Sequence, residues 1–356
     1  LVVSLGRSFP DVGARIAELR GRGVKVCVIL MLRGIHPLAD VRALLAILRL
    51  LSRHRFDVVH THGSKAGALG RVAAMLAGPP IRLHSPHCFA FLRSPSRWGR
   101  LVYLGLERML GALTTCLIAV APSEADIAAR HHIVPRGKCR VVKNAPANGP
   151  VFPERSTSDR RCDGDSTSHL RRRFVTTVCR LVDYKGVFRF LRAAQLSRVP
   201  GTRFLVAGDG ELKPGAQSFV VHHRLRHKVR LLGHVVNMGP VYARSDVVVL
   251  CSDGEAAPYC LLEAMRARCA IVATAVIGNR ELVIHNATGL LVEPAPAPIA
   301  RAIDELLSNE SKRRELTDNA YAYVRAHHDL ERQVSNLSDI YRTLCWGESH
   351  CVQHRP

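Results

Sequence analysis

The chain has 356 residues, 47% hydrophobic and 22% charged, a globular composition with enough length for two domains, which excludes a fibrous or disordered protein. Lys and Arg number 51 against 29 Asp and Glu, for a formal charge of +22. The excess is uneven: residues 1–150 carry 22 basic and 7 acidic side chains, whereas residues 151–356 carry 29 and 22. A basic N-terminal half suits an anionic membrane face or a polyanion, or serves only to keep the surface soluble. Aromatic residues make up only 5% and no basic-aromatic motif accompanies the charge, so no nucleic acid is expected as partner.

In chain order, short β-rich apolar runs alternate with helical patterns, the signature of a parallel α/β sheet. Strands are expected at 24–31, 56–60, 81–84 and 116–121, and helices at 40–52 and 67–77. The apolar stretch 101–121 holds Glu107 and Arg108 and reads as a helix followed by a strand, not a membrane span. Ser123 is expected to cap the next helix, with Glu124 and Asp126 in its first turn. Residues 154–173 turn polar and read as a linker. The alternation then restarts, with strands at 174–179, 204–207, 229–232, 247–251 and 270–274, helices at 186–196 and 258–267, and a helical tail from 298. Two α/β halves facing a cleft follow, with ligands at the carboxyl ends of the strands.

The eleven cysteines form no C-x-x-C pair, and Cys251, Cys260 and Cys269 lie nine apart, a spacing that suits no metal motif. Reduced thiols in a cytoplasmic setting are the expectation. No H-E-x-x-H, Walker loop or zinc spacing occurs, so no metal is expected.

Three strand-end clusters carry the chemistry. Arg180 and Lys185 follow a strand, and a planar fork beside a point charge matches a diphosphate, although such residues are also ordinary surface charges. Gly208, Asp209, Gly210 and Glu211 make a glycine-lined turn, a common pattern by itself. Glu255 and Glu263 lie eight apart, at a strand end and inside the following helix. There they can accept hydrogen bonds from sugar or ribose hydroxyls while the helix start faces a phosphate, or they merely complement the helix dipole. In the first half His60 and His62 end one strand and His87 follows the next, placed to act on a sugar or to serve as structural histidines.

Taken together, these segments resemble the retaining glycosyltransferases of family 4, of the bacterial polysaccharide and lipid-linked-glycan type. The resemblance rests on residues 57–71, on His84 to Phe91, and on 180–186, 208–212, 255–263, 277–281 and 288–292 in order. It implies a GT-B fold, α/β, with two facing Rossmann-like domains and a cleft between them. Residues 1–153 would form an acceptor-side domain, 154–173 the linker, 174–345 the nucleotide-sugar donor domain and 346–356 a tail. The family's first strand would lie before Leu1, so an N-terminally truncated chain is expected.

The implied reaction is retaining, metal-independent transfer of a hexosyl-type sugar from a nucleotide sugar, as co-substrate, to a glycan or lipid-linked acceptor. Arg180 and Lys185 would hold the diphosphate, Glu263 the ribose and Glu255 the transferred sugar. Gly208 and Asp209 would lie at the donor, Gly278 and Asn279 would approach its hydroxyls, and His87 would act near the anomeric centre. Fixed cations and a helix start can stabilise a departing diphosphate without a metal.

The chain departs from the pattern at Cys88, Ala145, Cys179, Ala256, Arg268 and Ala270, where glycine or proline is usual. A side chain at such a position blocks close approach or is forced to positive φ. A catalytically inactive relative acting as a binding or scaffold subunit is therefore the alternative. A sugar epimerase of the same fold would need a different acid–base set. Arg97, Trp98, Arg100, Tyr103 and Arg108, set among leucines, suit a helix resting on anionic lipid at the inner face of the membrane, or an ordinary core helix.

Overall fold

The computed structural model describes residues 2–4, 12–32, 34–94, 96–146 and 172–347. The chain forms two compact units, one of residues 1–142 and 334–356 and the other of residues 143–333. Apart from its last two residues, the stretch 154–173 lies outside the described residues.

The first unit opens with β1 (Val2–Ser4), α1 (Val12–Gly21), β2 (Cys27–Ile29) and α2 (Pro37–Arg53). It continues through β3 (Val58–His62), α3 (Ser64–Ala77), β4 (Ile81–Ser85), α4 (Ala90–Arg93), α5 (Arg97–Ala112), β5 (Cys116–Ala119), α6 (Pro122–Arg130) and β6 (Cys139–Val141). Strands β3 to β6 pair in parallel in sequence order, and β1 pairs in parallel with β2 as a separate ladder. The sequence reading placed no strand at Val2–Ser4. Ser123 does not cap α6, as the sequence suggested. The N-cap is Ala121, two residues earlier, and the helix starts at Pro122, whose fixed φ suits a first helical position and whose missing N–H costs nothing there.

The second unit runs β7 (Arg173–Val178), α7 (Val187–Leu196), β8 (Thr202–Ala207), α8 (Lys213–His222), β9 (Val229–Gly233), α9 (Gly239–Arg244) and β10 (Val247–Leu250). Then follow α10 (Tyr259–Arg266), β11 (Ala270–Thr274), α11 (Ile277–Leu282), β12 (Leu290–Val292), α12 (Pro296–Ser308) and α13 (Glu310–His327). Its six strands are all parallel, in the order β12-β11-β10-β7-β8-β9. Counted within the unit this is 3-2-1-4-5-6 read from the far edge, the doubly wound order of nucleotide-binding sheets. Strands buried on both faces need apolar side chains throughout, and Val247 to Leu250 and Ala270 to Ala273 are all buried. Phe190, Phe204, Leu191, Ile303 and Leu306 fill the space between sheet and helices.

The last helix, α14 (Leu330–Trp346), leaves the second unit and returns to the first. Leu337, Ile340, Tyr341, Leu344 and Cys345 form a stripe at helical spacing that packs on Ile81, Leu83, Cys116, Ile118 and Val142. The sequence reading assigned residues up to 345 to the second domain; the division falls instead at 333/334. Among the described residues no helix is long and apolar enough to cross a membrane.

Candidate functional site

In a doubly wound sheet the crossovers leave in opposite directions at one place, opening a crevice at the carboxyl ends of the two strands there. In the second unit those strands are β7 and β10, paired through Val175 with Val247 and Thr176 with Val248. Beyond β7 the chain enters Cys179 and Arg180, and beyond β10 it enters Cys251, Ser252 and Glu255. Two of the three sequence clusters thus meet at the switch point.

Lys185 lies in a short turn, Asp183–Lys185, ahead of α7. Its Nζ stands 2.5 Å from Glu255 Oε1, both side chains largely buried. Burial opposes the charge on Lys185, but the Glu255 carboxylate outweighs it and the pKa is raised, so the amine is held as a cation. Arg180 donates from Nη2 to the Tyr184 hydroxyl at 3.0 Å. Its Nε is buried without a hydrogen-bond partner among the described residues, as is the Ser252 hydroxyl. A buried guanidinium N–H without an acceptor is costly unless a ligand supplies one.

The third cluster supports the first. Gly208 has φ +147°, and a Cβ there would overlap the Cys179 carbonyl. Only glycine lets the turn lie against the loop carrying Arg180. Asp209 is tied into its own turn, to Lys213 Nζ at 2.5 Å and the Gly210 N–H at 2.8 Å. The Lys213 hydrogen bond lowers its pKa. Gly278, at the start of α11, packs on the backbone of Glu255 and Ala256, which a Cβ would overlap. Asn279 differs from expectation: its side chain is fully buried and donates to the Thr274 carbonyl at 2.9 Å. Its amide nitrogen anchors the start of α11, and its Oδ1, like Arg180 Nε, is buried without a hydrogen-bond partner among the described residues.

Glu263 is half-buried on α10 and accepts from the Tyr242 hydroxyl at 2.8 Å. Burial raises its pKa, and the Tyr242 hydrogen bond restrains that rise. Sequence reading missed Tyr242, because a tyrosine on a short helix 21 residues upstream carries no local signal of its partner.

His87 lies in the first unit, beyond β4. Its Nε2 is 3.1 Å from His62 Nδ1, with the rings stacked at 5.4 Å. His60, one pleat from His62, hydrogen-bonds Tyr341 Oη at 2.7 Å and Ser85 Oγ at 2.9 Å. Although His87 keeps an exposed edge, desolvation and the neighbouring His62 lower its pKa to about 4. Burial, with His62 and His87 adding to it, takes His60 to about 3. All three imidazoles are therefore neutral near pH 7, and within the His62–His87 pair one nitrogen donates while the other accepts. Among the described residues no group of three or more His, Cys, Asp or Glu is placed to hold a metal ion.

The positions where glycine or proline is usual behave in two ways. Cys88 and Arg268 take positive φ, +79° and +54°, the strain expected when a side chain occupies a left-handed position. Ala145, Cys179, Ala256 and Ala270 keep negative φ.

Two parallel-sheet α/β units, one with a charged, glycine-lined switch point, define the GT-B class of glycosyltransferase folds. Solved structures of that class superpose closely. Anabaena HepE in complex with UDP and glucose gives a TM-score of 0.75 at 19% identity, covering 96% of this chain and 91% of that one. Sucrose-phosphate synthase from Thermosynechococcus elongatus gives 0.74 at 19% identity, covering 94% and 93%. The glycosyl transferases group 1 pattern matches residues 163–323, and the glycosyl transferase 4-like domain pattern matches residues 3–145. The Escherichia coli UDP-Gal:alpha-D-GlcNAc-diphosphoundecaprenol alpha-1,3-galactosyltransferase is 32% identical over 73% of this chain and 68% of its own length. The Staphylococcus aureus capsular polysaccharide biosynthesis glycosyltransferase CapM is 23% identical over 89% and 84%. The chain belongs to the group 1 glycosyl transferases.

Proposed function

We propose that this glycosyltransferase moves a hexosyl-type sugar from a nucleoside-diphosphate sugar to a glycan or lipid-linked acceptor, with retention of configuration and without a metal. The observation that carries the reading is the convergence of Arg180, Lys185 and Glu255 at the switch point, where Arg180 Nε lacks an acceptor among the described residues. A diphosphate supplies acceptors for Arg180 and Lys185, and fixed cations stabilise the negative charge it gathers on departure. Glu263, oriented by Tyr242, is assigned to the ribose and Glu255 to the transferred sugar. Gly208 and Gly278 keep the surrounding loops close, and Asp209 holds the turn that follows Gly208. His87 is assigned to the sugar near its anomeric centre.

The relatives' names support the acceptor class: that of the Escherichia coli enzyme gives a diphosphoundecaprenol-linked sugar, and that of CapM gives capsular polysaccharide biosynthesis. UDP is the nucleotide in the HepE complex and is the first donor to try. We further propose peripheral contact with anionic lipid through α5, at the cytoplasmic face.

Calorimetric titration with UDP, GDP and ADP and their sugars, with and without EDTA, tests the donor site. Saturable binding of one nucleotide is expected, unaffected by chelator and lost in Arg180→Ala and Glu263→Ala. Flat titrations across the panel from folded protein would overturn the reading in favour of an inactive relative. Proton NMR of the product's anomeric signal decides retention.

A further inference from the structure

The strained loop that carries His87 is held by a carboxylate to which no role has been assigned. His87 and Cys88 are consecutive non-glycine residues at φ +52° and +79°. Left-handed backbone in two successive side-chain-bearing residues persists only where the surroundings over-determine it. Here three tethers do so. Glu124, on the first turn of α6, accepts the Cys88 N–H on Oε1 at 2.6 Å and the Val120 N–H on Oε2 at 2.9 Å. Arg93 Nη2 donates to the Cys88 carbonyl at 3.3 Å. The His87 ring rests against His62 through Nε2.

Of these, the Glu124 contact falls on the peptide unit that joins His87 to Cys88, and so sets the direction in which the His87 side chain leaves the backbone. Glu124 is 2% exposed. A carboxyl buried that deeply is costly, and its two oxygens bridge the loop after β4 to the end of β5. Both N–H groups that Glu124 accepts, those of Cys88 and Val120, lie outside α6, so Glu124 does more there than complement the helix dipole.

We propose that Glu124 is the positioning residue for His87: it grips the His87–Cys88 peptide, keeps the imidazole stacked on His62 in one tautomer, and leaves Nδ1 as the ring nitrogen without a hydrogen-bond partner among the described residues. The inference rests on the assignment of His87 to the transferred sugar. It adds the device that keeps that ring in one pose although glycine is missing at position 88.

The test uses the full chain. Glu124→Gln keeps the volume but turns an amide NH2 toward one of the two backbone N–H groups. The expected result is a fall in kcat of about tenfold or more. The Kd for nucleotide, bound in the other unit, should stay within about twofold. The 15N signals of His87 and His62 should lose their fixed-tautomer pattern. Adding Cys88→Gly, which adopts positive φ without strain, should restore both kcat and the His87 pattern. If Glu124→Gln does not fold, Glu124→Asp retracts the carboxylate by one methylene and gives the same readouts.

Wild-type turnover with the His87 pattern intact overturns the proposal. So does a loss of kcat with that pattern unchanged, which would make Glu124 a stabiliser of the core alone. A wild-type chain that binds no nucleotide would overturn the functional reading instead, and the histidine signals would still decide the positioning role.

Discussion

At the scale of single residues, the switch point works through pairs whose members constrain each other. Lys185 and Glu255 neutralise one another at 2.5 Å, so removing the amine leaves a largely buried carboxylate without a counter-charge. Lys185→Ala should weaken nucleotide binding by roughly 10- to 100-fold, the worth of a charged hydrogen bond of about 1.5–3 kcal/mol, as read by calorimetry. Binding unchanged in Lys185→Ala would remove Lys185 from the diphosphate. Gly278→Ala makes a different prediction. Its Cβ would overlap the backbone of Glu255 and Ala256, and backbone cannot give way as a flexible side chain can. Turnover should fall well before nucleotide affinity does, because the loop bearing Glu255 must move. Wild-type kcat in Gly278→Ala would show that this packing is slack.

At the scale of elements, α5 and α14 make opposite uses of an apolar stripe. The stripe of α14 covers Ile81, Leu83, Cys116 and Ile118. The outer face of α5 leaves Trp98 79%, Leu101 61% and Met109 61% exposed, at helical spacing beside Arg97 and Arg100. An uncovered aromatic and aliphatic stripe flanked by arginine is suited to rest on an anionic bilayer. Vesicles containing phosphatidylglycerol should sediment the protein and shift Trp98 emission to the blue, and Trp98→Ser with Arg97→Glu should abolish both. Equal binding to zwitterionic vesicles, or none to either, would remove the membrane proposal.

The sequence marked both segments as helical but could not tell their roles apart, since a pattern specifies one apolar face and not what covers it. The same limit runs through the rest. The longer strands were legible to within a few residues because buried parallel strands are continuous apolar runs, as at Val247–Leu250 and Ala270–Thr274, whereas the three-residue strands β1, β6 and β12 were too short to leave such a run and were missed. The strand-end clusters were legible because the sheet dictates where ligands sit. Tyr242 on Glu263, Glu124 on Cys88 and Tyr341 on His60 were not, being partners 21, 36 and 281 residues apart. Asn279 was assigned to the donor by its type, which suits a ligand as well as it suits the Thr274 carbonyl, and the sequence could not show that its amide is used locally.

At the scale of the whole molecule, the two units should respond differently to acid. In the first unit, burial lowers His60 to about 3 and His87 to about 4, and also lowers His62 and, strongly, His84. A depressed histidine pKa gives stability that is present above about 6.5 and is lost as pH falls toward the folded value. Glu124 runs the other way. Burial raises it to about 7, so its contribution is present below about 4.5 and fades as pH rises to 7. With His131 also lowered, five histidines of the first unit act against one carboxyl, whereas among the described residues of the second unit only one histidine, His328, is lowered, so the first unit should lose more stability between pH 6.5 and 4. Hydrogen-exchange protection of β3 and β4 should fall over that range more than that of β10 and β11. Equal losses in both sheets would refute this account.

The return of α14 to the first unit also bears on how the protein is made. His60 emerges from the ribosome early, but Tyr341, its hydrogen-bond partner, follows 281 residues later. At roughly 5–20 residues per second that interval is on the order of tens of seconds. Throughout it the first sheet waits with Ile81, Leu83 and Ile118 uncovered, while the second unit, contiguous from 143 to 333, can close on its own. The second unit can therefore be complete before the first, and the half made first is the one left open longest during synthesis.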